Sequence, residues 1–177
     1  MKRILYHADL GMRPCVAREL VRCRPLSLSH AAYFGGLIDG EAYMGVTASR
    51  TSKSAKGCRR GVAYRLMLAI RMTDRRPLDF AVTATGVGRV LTMRIPKNGY
   101  RQPWSWIVWS AQAASVIQAV RPYLLVKAEQ ADVCLAFQAG MRFFGRPLTD
   151  SEWNERERFH AASRNLNYGR QKADSVP

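Results

Sequence analysis

The chain of 177 residues reads as an α+β fold, in the order helix, two strands, helix, two strands and then three helices. Three observations predict it. An apolar helix with paired glycines, residues 30–40, runs straight into an alternating strand; residues 62–73 alternate more clearly than any other segment; and from Ala113 onward the apolar residues fall at helical spacing. The length suffices for one well-buried core and falls short of two ordinary domains.

Taken in order, residues 1–28 form an N-terminal arm, with a short helix over 17–23 between Pro14 and Pro25. Ser29 caps the first core helix. In the strand that follows, Met44, Val46 and Ala48 share one face and Tyr43, Thr47 and Ser49 the other. Residues 50–60, RTSKSAKGCRR, are small, polar and basic and read as a long hairpin tip. In 62–73, Leu66, Leu68, Ile70 and Met72 face one way, while Arg65, Met67, Ala69, Arg71 and Thr73 face the other. Pro77 opens a helix carrying Leu78, Ala81, Val82 and Thr85, and Gly86 ends it. Strands near 89–95 and 104–110 flank the basic turn at Lys97 and Arg101. The spacing of Ala113, Val116, Ile117 and Val120 predicts a helix stopped by Pro122. Another spans 130–144 with Cys134, Phe137, Met141 and Phe144 as its stripe. Thr149 and Glu152 form a capping box for the last helix, to about 165, before a flexible tail at 168–177.

The formal charge is +15, from 28 Lys and Arg against 13 Asp and Glu. Arginine dominates the cations, and its planar fork suits phosphates and base edges. A basic excess of this size points to a polyanion, most often nucleic acid. The four cysteines make no CxxC pair and have no histidines at zinc spacing, which predicts a reducing, cytoplasmic setting. No apolar stretch follows Met1-Lys2-Arg3, and no apolar run approaches 18 residues, so neither a signal peptide nor a membrane partner is expected. No small-molecule substrate is expected either.

Gly35 and Gly36 are costly in a helix, about 1 kcal/mol each relative to alanine, so something must approach closely there. The segment Phe34-Gly35-Gly36-Leu37-Ile38-Asp39-Gly40-Glu41-Ala42 resembles the motif of the LAGLIDADG homing endonucleases. The element order matches that family's αββαββα core. Arg121-Pro122-Tyr123-Leu124-Leu125-Val126-Lys127-Ala128-Glu129-Gln130-Ala131 is similar to its proline-aromatic-leucine turn before an active-site lysine, and Leu166-Asn167 to its terminal leucine-asparagine. The resemblance covers roughly residues 30–167, within a domain set at 29–167. Two motif places differ: Glu41 stands for an aspartate and keeps the carboxylate, and Ala42 stands for a glycine and keeps the carbonyl.

The resemblance implies a four-stranded antiparallel, saddle-shaped sheet followed by C-terminal helices, and a homodimer on double-stranded DNA. Ala32, Gly35 and Gly36, with Asp39, would face the symmetry mate and bring both Glu41 carboxylates to the two-fold axis. Glu41 and the Ala42 carbonyl would hold Mg²⁺, which Mn²⁺ can replace, for phosphodiester hydrolysis. Lys127 would supply positive charge near the scissile phosphate, and Asp74 would help order water. Arg65, Arg71 and Thr73 on the second strand, Arg89, Arg94, Lys97 and Arg101 on the second hairpin, and Arg50, Lys53, Arg59 and Arg60 on the first would contact DNA. Trp104, Trp106 and Trp109 read as strand core and sheet edge rather than a stacking platform.

The leading function is a site-specific endonuclease cutting a long, pseudo-palindromic site, encoded in an intron or intein or freestanding in a phage or bacterial genome. The alternative is a non-catalytic binder on the same fold, an intron maturase or a transcriptional regulator. Retention of both Glu41 and Lys127 favours the enzyme.

Overall fold

A computed structural model describes residues 22–50, 61–95, 99–141 and 148–169. Helix α1 spans Leu28–Glu41 and leads without a loop into strand β1, Ala42–Arg50. Strand β2 is Val62–Met72, helix α2 Arg76–Thr85, strand β3 Arg89–Thr92 and strand β4 Trp104–Trp109. Helix α3, Ser110–Val120, passes into a 3-10 turn at Arg121–Tyr123; helices α4, Ala128–Ala139, and α5, Asp150–Arg164, follow, with a π-turn at Asn165–Gly169. The sheet is antiparallel throughout, in the order β1-β2-β4-β3. The predicted class and element order are therefore the observed ones.

Alternation decides the layers. Met44, Val46, Leu66, Leu68, Ile70, Trp106 and Val108 are buried, and the apolar stripes of the helices cover them. From α1 come Phe34 and Ile38; from α2, Leu78 and Ala81; from α3, all four stripe residues; from α4, Cys134 and Phe137. Ala48 shares the parity of Met44 and Val46 but lies exposed near the end of β1. Trp106 is fully buried, and its indole N–H donates to the Val87 carbonyl at 3.1 Å.

Several boundaries move for identifiable reasons. Ser27, not Ser29, caps α1 by accepting from the His30 N–H at 3.3 Å, so the helix starts at Leu28. Gly86 ends α2 as predicted, in the left-handed region at φ 67. Strand β3 stops at Thr92 rather than 95. Met93 still donates to Pro103 O at 3.0 Å, but proline has no N–H to return, and the Gln102 side chain donates to Met93 O instead, at 2.6 Å. Helix α4 begins at Ala128 and ends before Gly140; Phe144 lies outside the described residues. The capping box at Thr149 and Glu152 is present as expected.

Of the N-terminal arm set at 1–28, residues 1–21 lie outside the described residues. Residues 22–27 already dock on the domain: the Arg24 N–H donates to Thr85 O at 2.8 Å and the Cys23 N–H to Ser115 Oγ at 2.9 Å. At the other end, residues 163–167 seal the outer edge of β1. Ser163 Oγ accepts from the Val46 N–H at 3.0 Å, and Asn167 Nδ2 donates to Met44 O at 3.1 Å. An open edge would otherwise present these groups to any passing strand. Among the described residues no helix is long and apolar enough to cross a membrane.

Candidate active site and nucleic-acid face

Glu41 ends α1, and Ala42 opens the ladder opposite Ile70. A helix C-terminus leaves carbonyls without intrahelical donors and carries partial negative charge. Here one side chain reaches three carbonyls, of which Ile38 O also accepts the Ala42 N–H. Lys127 Nζ donates to Ile38 O at 2.7 Å, Asp39 O at 2.9 Å and Ala42 O at 2.8 Å. Burial pulls the Lys127 ammonium below the ordinary lysine pKa, against the Asp39 and Glu41 carboxylates, which raise it. The structure thus brings Glu41, Ala42 and Lys127 together from positions more than eighty residues apart in sequence.

Asp39 has a role inside the chain that the sequence did not suggest. Its carboxylate accepts three consecutive main-chain N–H groups, from Leu125 at 2.7 Å, Val126 at 3.2 Å and Lys127 at 2.9 Å. Within one chain it is a bracket that ties α1 to the segment carrying Lys127. Arg121 fixes the other side of that segment through a two-pronged ion pair with Asp132 on α4, both bonds at 2.7 Å.

The glycine pair divides its work. A Cβ on Gly35 would lie 2.6 Å from Tyr123 Cβ and 2.9 Å from Tyr123 O, so the close approach at Gly35 is made by the chain's own 3-10 turn. Gly36 and Gly40 have open space where a Cβ would stand, and Ala32 is exposed. The outward stripe of α1 is therefore Leu28, Ala32, Gly36 and Gly40, with Gly35 facing inward.

Asp74 is taken up by Arg76, whose guanidinium and main-chain N–H both donate to its carboxylate. That hydrogen bonding holds its pKa at about 2. It lines a surface depression with Tyr33, Arg76, Pro77 and Phe80, a set that includes neither Glu41 nor Lys127. The local ion pair accounts for Asp74; the water-ordering role gains no support from its surroundings.

On the sheet's outer face the register places Arg65 beside Thr47, Met67 between Gly45 and Trp109, Ala69 between Tyr43 and Ile107, and Arg89 beside Ile107. Arg65, Arg71 and Arg89 are exposed there. The β1–β2 ladder begins at Ala42 opposite Ile70, and Arg71, the next residue of β2, pairs with Ser105 on β4. Thr73 lies just past β2 and Arg50 at the end of β1, both exposed, and Arg101 is exposed before β4. Arg94 differs in parity from Arg89 and follows the end of β3, so the two do not share a strand face. Lys53, Arg59, Arg60 and Lys97 lie outside the described residues. Of the tryptophans expected in strand core and at the sheet edge, Trp106 is core, while Trp109 at the end of β4 is 40% exposed, on the same face as Arg65 and Arg71.

The donors at the end of α1 are hard oxygens of the kind a divalent cation takes. The carbonyl oxygens there already converge on an ammonium, and the exposed Glu41 carboxylate lies beside them. Among the described residues no three His, Cys, Asp or Glu side chains gather in one cluster, so a divalent ion held here would draw on main-chain oxygen as well as Glu41.

No protein-family model matches the sequence, and no curated protein matches it significantly. Solved structures do match. The homing endonuclease I-CvuI, solved in complex with DNA, aligns over 77% of this chain and 80% of its own, at a TM-score of 0.60 and 17% identity. The LAGLIDADG homing endonuclease I-LtrWI, bound to target DNA, aligns over 81% of this chain but 46% of its own, at 0.61 and 19%. I-TnaI, another homing endonuclease, aligns over 80% and 96%, at 0.56 and 14%. At such identities the likeness is one of fold. This chain has the homing endonuclease fold.

Proposed function

We propose that the chain is a site-specific DNA endonuclease that works as a homodimer through the outward stripe of α1. The observation that carries this reading is the meeting of Glu41, the Ala42 carbonyl and Lys127 at one end of α1, in a chain whose outer sheet face exposes Arg65, Arg71 and Arg89. Glu41 and Ala42 O would hold Mg²⁺. A bound divalent ion supplies Lewis-acid stabilisation of charge on phosphoryl oxygen. Lys127 adds positive charge on the same side, Asp39 fixes the backbone from which Lys127 reaches, and the exposed arginines hold the duplex through its phosphates. One motif per chain gives one such carboxylate, so cutting both strands of a pseudo-palindromic site calls for two copies.

A second reading has an observation of its own. Lys127 is fully used in capping α1, so its presence needs no catalytic explanation, and a non-catalytic binder, maturase or regulator, could keep it. Cleavage and binding of sites selected from a random duplex library separate the two. For the enzyme, Glu41→Gln abolishes cutting while binding persists, and Lys127→Met slows cutting roughly 10²–10³-fold. Tight binding with no cutting of any selected site in Mg²⁺ or Mn²⁺ decides for the binder.

A further inference from the structure

The carbonyls at the C-terminus of α1 form a small cation hole, and the chain fills it with its own cation. Lys127 Nζ has three N–H bonds to give, and all three go to Ile38 O, Asp39 O and Ala42 O, at 2.7 to 2.9 Å. Ala42 O is also the main-chain oxygen assigned to the divalent ion. An ammonium and a hard dication seek the same oxygen lone pairs, and at hydrogen-bond distance from one carbonyl their charges repel. The Asp39 bracket makes the ammonium's position persistent, because it pins residues 125–127 to the same helix end.

We propose that Lys127 competes with the divalent cation for Ala42 O, so that the DNA-free protein withholds part of its own metal site. The inference rests on Glu41 and Ala42 being the cation's ligands. A phosphate oxygen arriving beside Glu41 offers the ammonium another acceptor and so frees the carbonyl. Lys127 is in this sense a gate on metal loading as well as a charge near the reaction.

The test is Mn²⁺ binding to DNA-free protein, measured by calorimetry on wild type, Lys127→Met, and each of these with Glu41→Gln. Circular dichroism checks that every variant is folded; if Lys127→Met is not, Lys127→Gln takes its place. The Lys127 variant should bind Mn²⁺ about tenfold more tightly than wild type, the scale of one charge-assisted hydrogen bond. Through-space repulsion alone would be screened by salt, so the ratio should persist at high ionic strength. Mg²⁺ should also raise the melting temperature of the variant more than that of wild type, because the ion takes the vacated place. Equal affinities, or a ratio that collapses in salt, overturn the competition while leaving the ligand assignment standing. Mn²⁺ binding that ignores Glu41→Gln in both backgrounds overturns the ligand assignment itself.

Discussion

Adjacent glycines with opposite surroundings give the sharpest residue-scale experiment. Gly35→Ala drives a Cβ into Tyr123 and should cost about 1–3 kcal/mol of overpacking, read as a lower urea midpoint. Gly36→Ala meets open space and should instead add up to about 1 kcal/mol of helix propensity to the isolated chain. Similar costs at the two positions in monomeric protein would mean that the inward and outward faces of α1 are misassigned. Lys127 and Asp39 form a second pair with consequences for stability. Lys127→Met removes a charged donor from three carbonyls and should destabilise the fold by about 1–3 kcal/mol whatever it does to catalysis. Burial works to raise the Asp39 pKa, but the N–H groups of Leu125, Lys127 and Val126 and the Lys127 charge outweigh it, and the net shift is downward. A carboxyl depressed in the folded state contributes stability that is complete above its unfolded value, about 3.9, and is lost as pH falls through the folded value. The melting temperature of wild type should therefore converge on that of Asp39→Asn as the solution is acidified from pH 5 toward 2. A gap that stays constant over that range would show that the bracket does not depend on the charge of Asp39.

Elements were readable where periodicity carried the signal. Ala113, Val116, Ile117 and Val120 point to one face from spacing alone, and all four are fully buried. The capping box of α5 is equally local: Thr149→Ala should cost about 1 kcal/mol, measured by thermal melting. The connections between elements carry no such signal. Ser163 reaches Val46 across 117 residues and Asn167 reaches Met44 across 123, and a lone serine or asparagine in a helical segment announces no distant partner. The bracket at Asp39 was hidden for the same reason, and only the proline-aromatic turn before Lys127 hinted that the segment approached α1. The meeting of Glu41 and Lys127 was legible because each sits inside a short, recognisable stretch. The pairing of Asp74 with Arg76 was legible in principle, since the two are neighbours in sequence, but an acidic residue after a strong strand reads equally well as a turn or a site. Replacing Ser163 by alanine tests the edge seal. It strips the Val46 N–H of its acceptor and should raise amide exchange at Val46 more than in the core of β2.

At the scale of the molecule, charge and shape make separate demands. A chain of net charge +15 with exposed arginines on one sheet face should bind duplex DNA with a steep salt dependence. If a dimer neutralises roughly 6–10 phosphates, affinity should fall about 10³–10⁵-fold between 50 and 200 mM salt, and a flat titration would exclude this interface. Shape governs assembly. The outward stripe Leu28, Ala32, Gly36 and Gly40 repeats every fourth residue, the spacing along which helix ridges interdigitate, and its small members let a second helix come close. Exposed apolar side chains lie at both its ends: Leu28, its first member, is 79% exposed, and Leu125 and Val126, held beside the end of α1 by Asp39, are 88% and 61% exposed. So much uncovered apolar surface about a small-residue stripe fits a second copy of the same helix. Sedimentation of wild type should give a dimer, and Gly36→Leu should shift it toward monomer with an unchanged circular dichroism spectrum, because the new side chain has room in one chain and none between two. The same substitution should abolish double-strand cleavage, since it parts the two Glu41 carboxylates. A wild type that sediments as a monomer both alone and on its selected DNA site, or a Gly36→Leu variant that dimerises and cuts as well as wild type, would remove α1 from the interface.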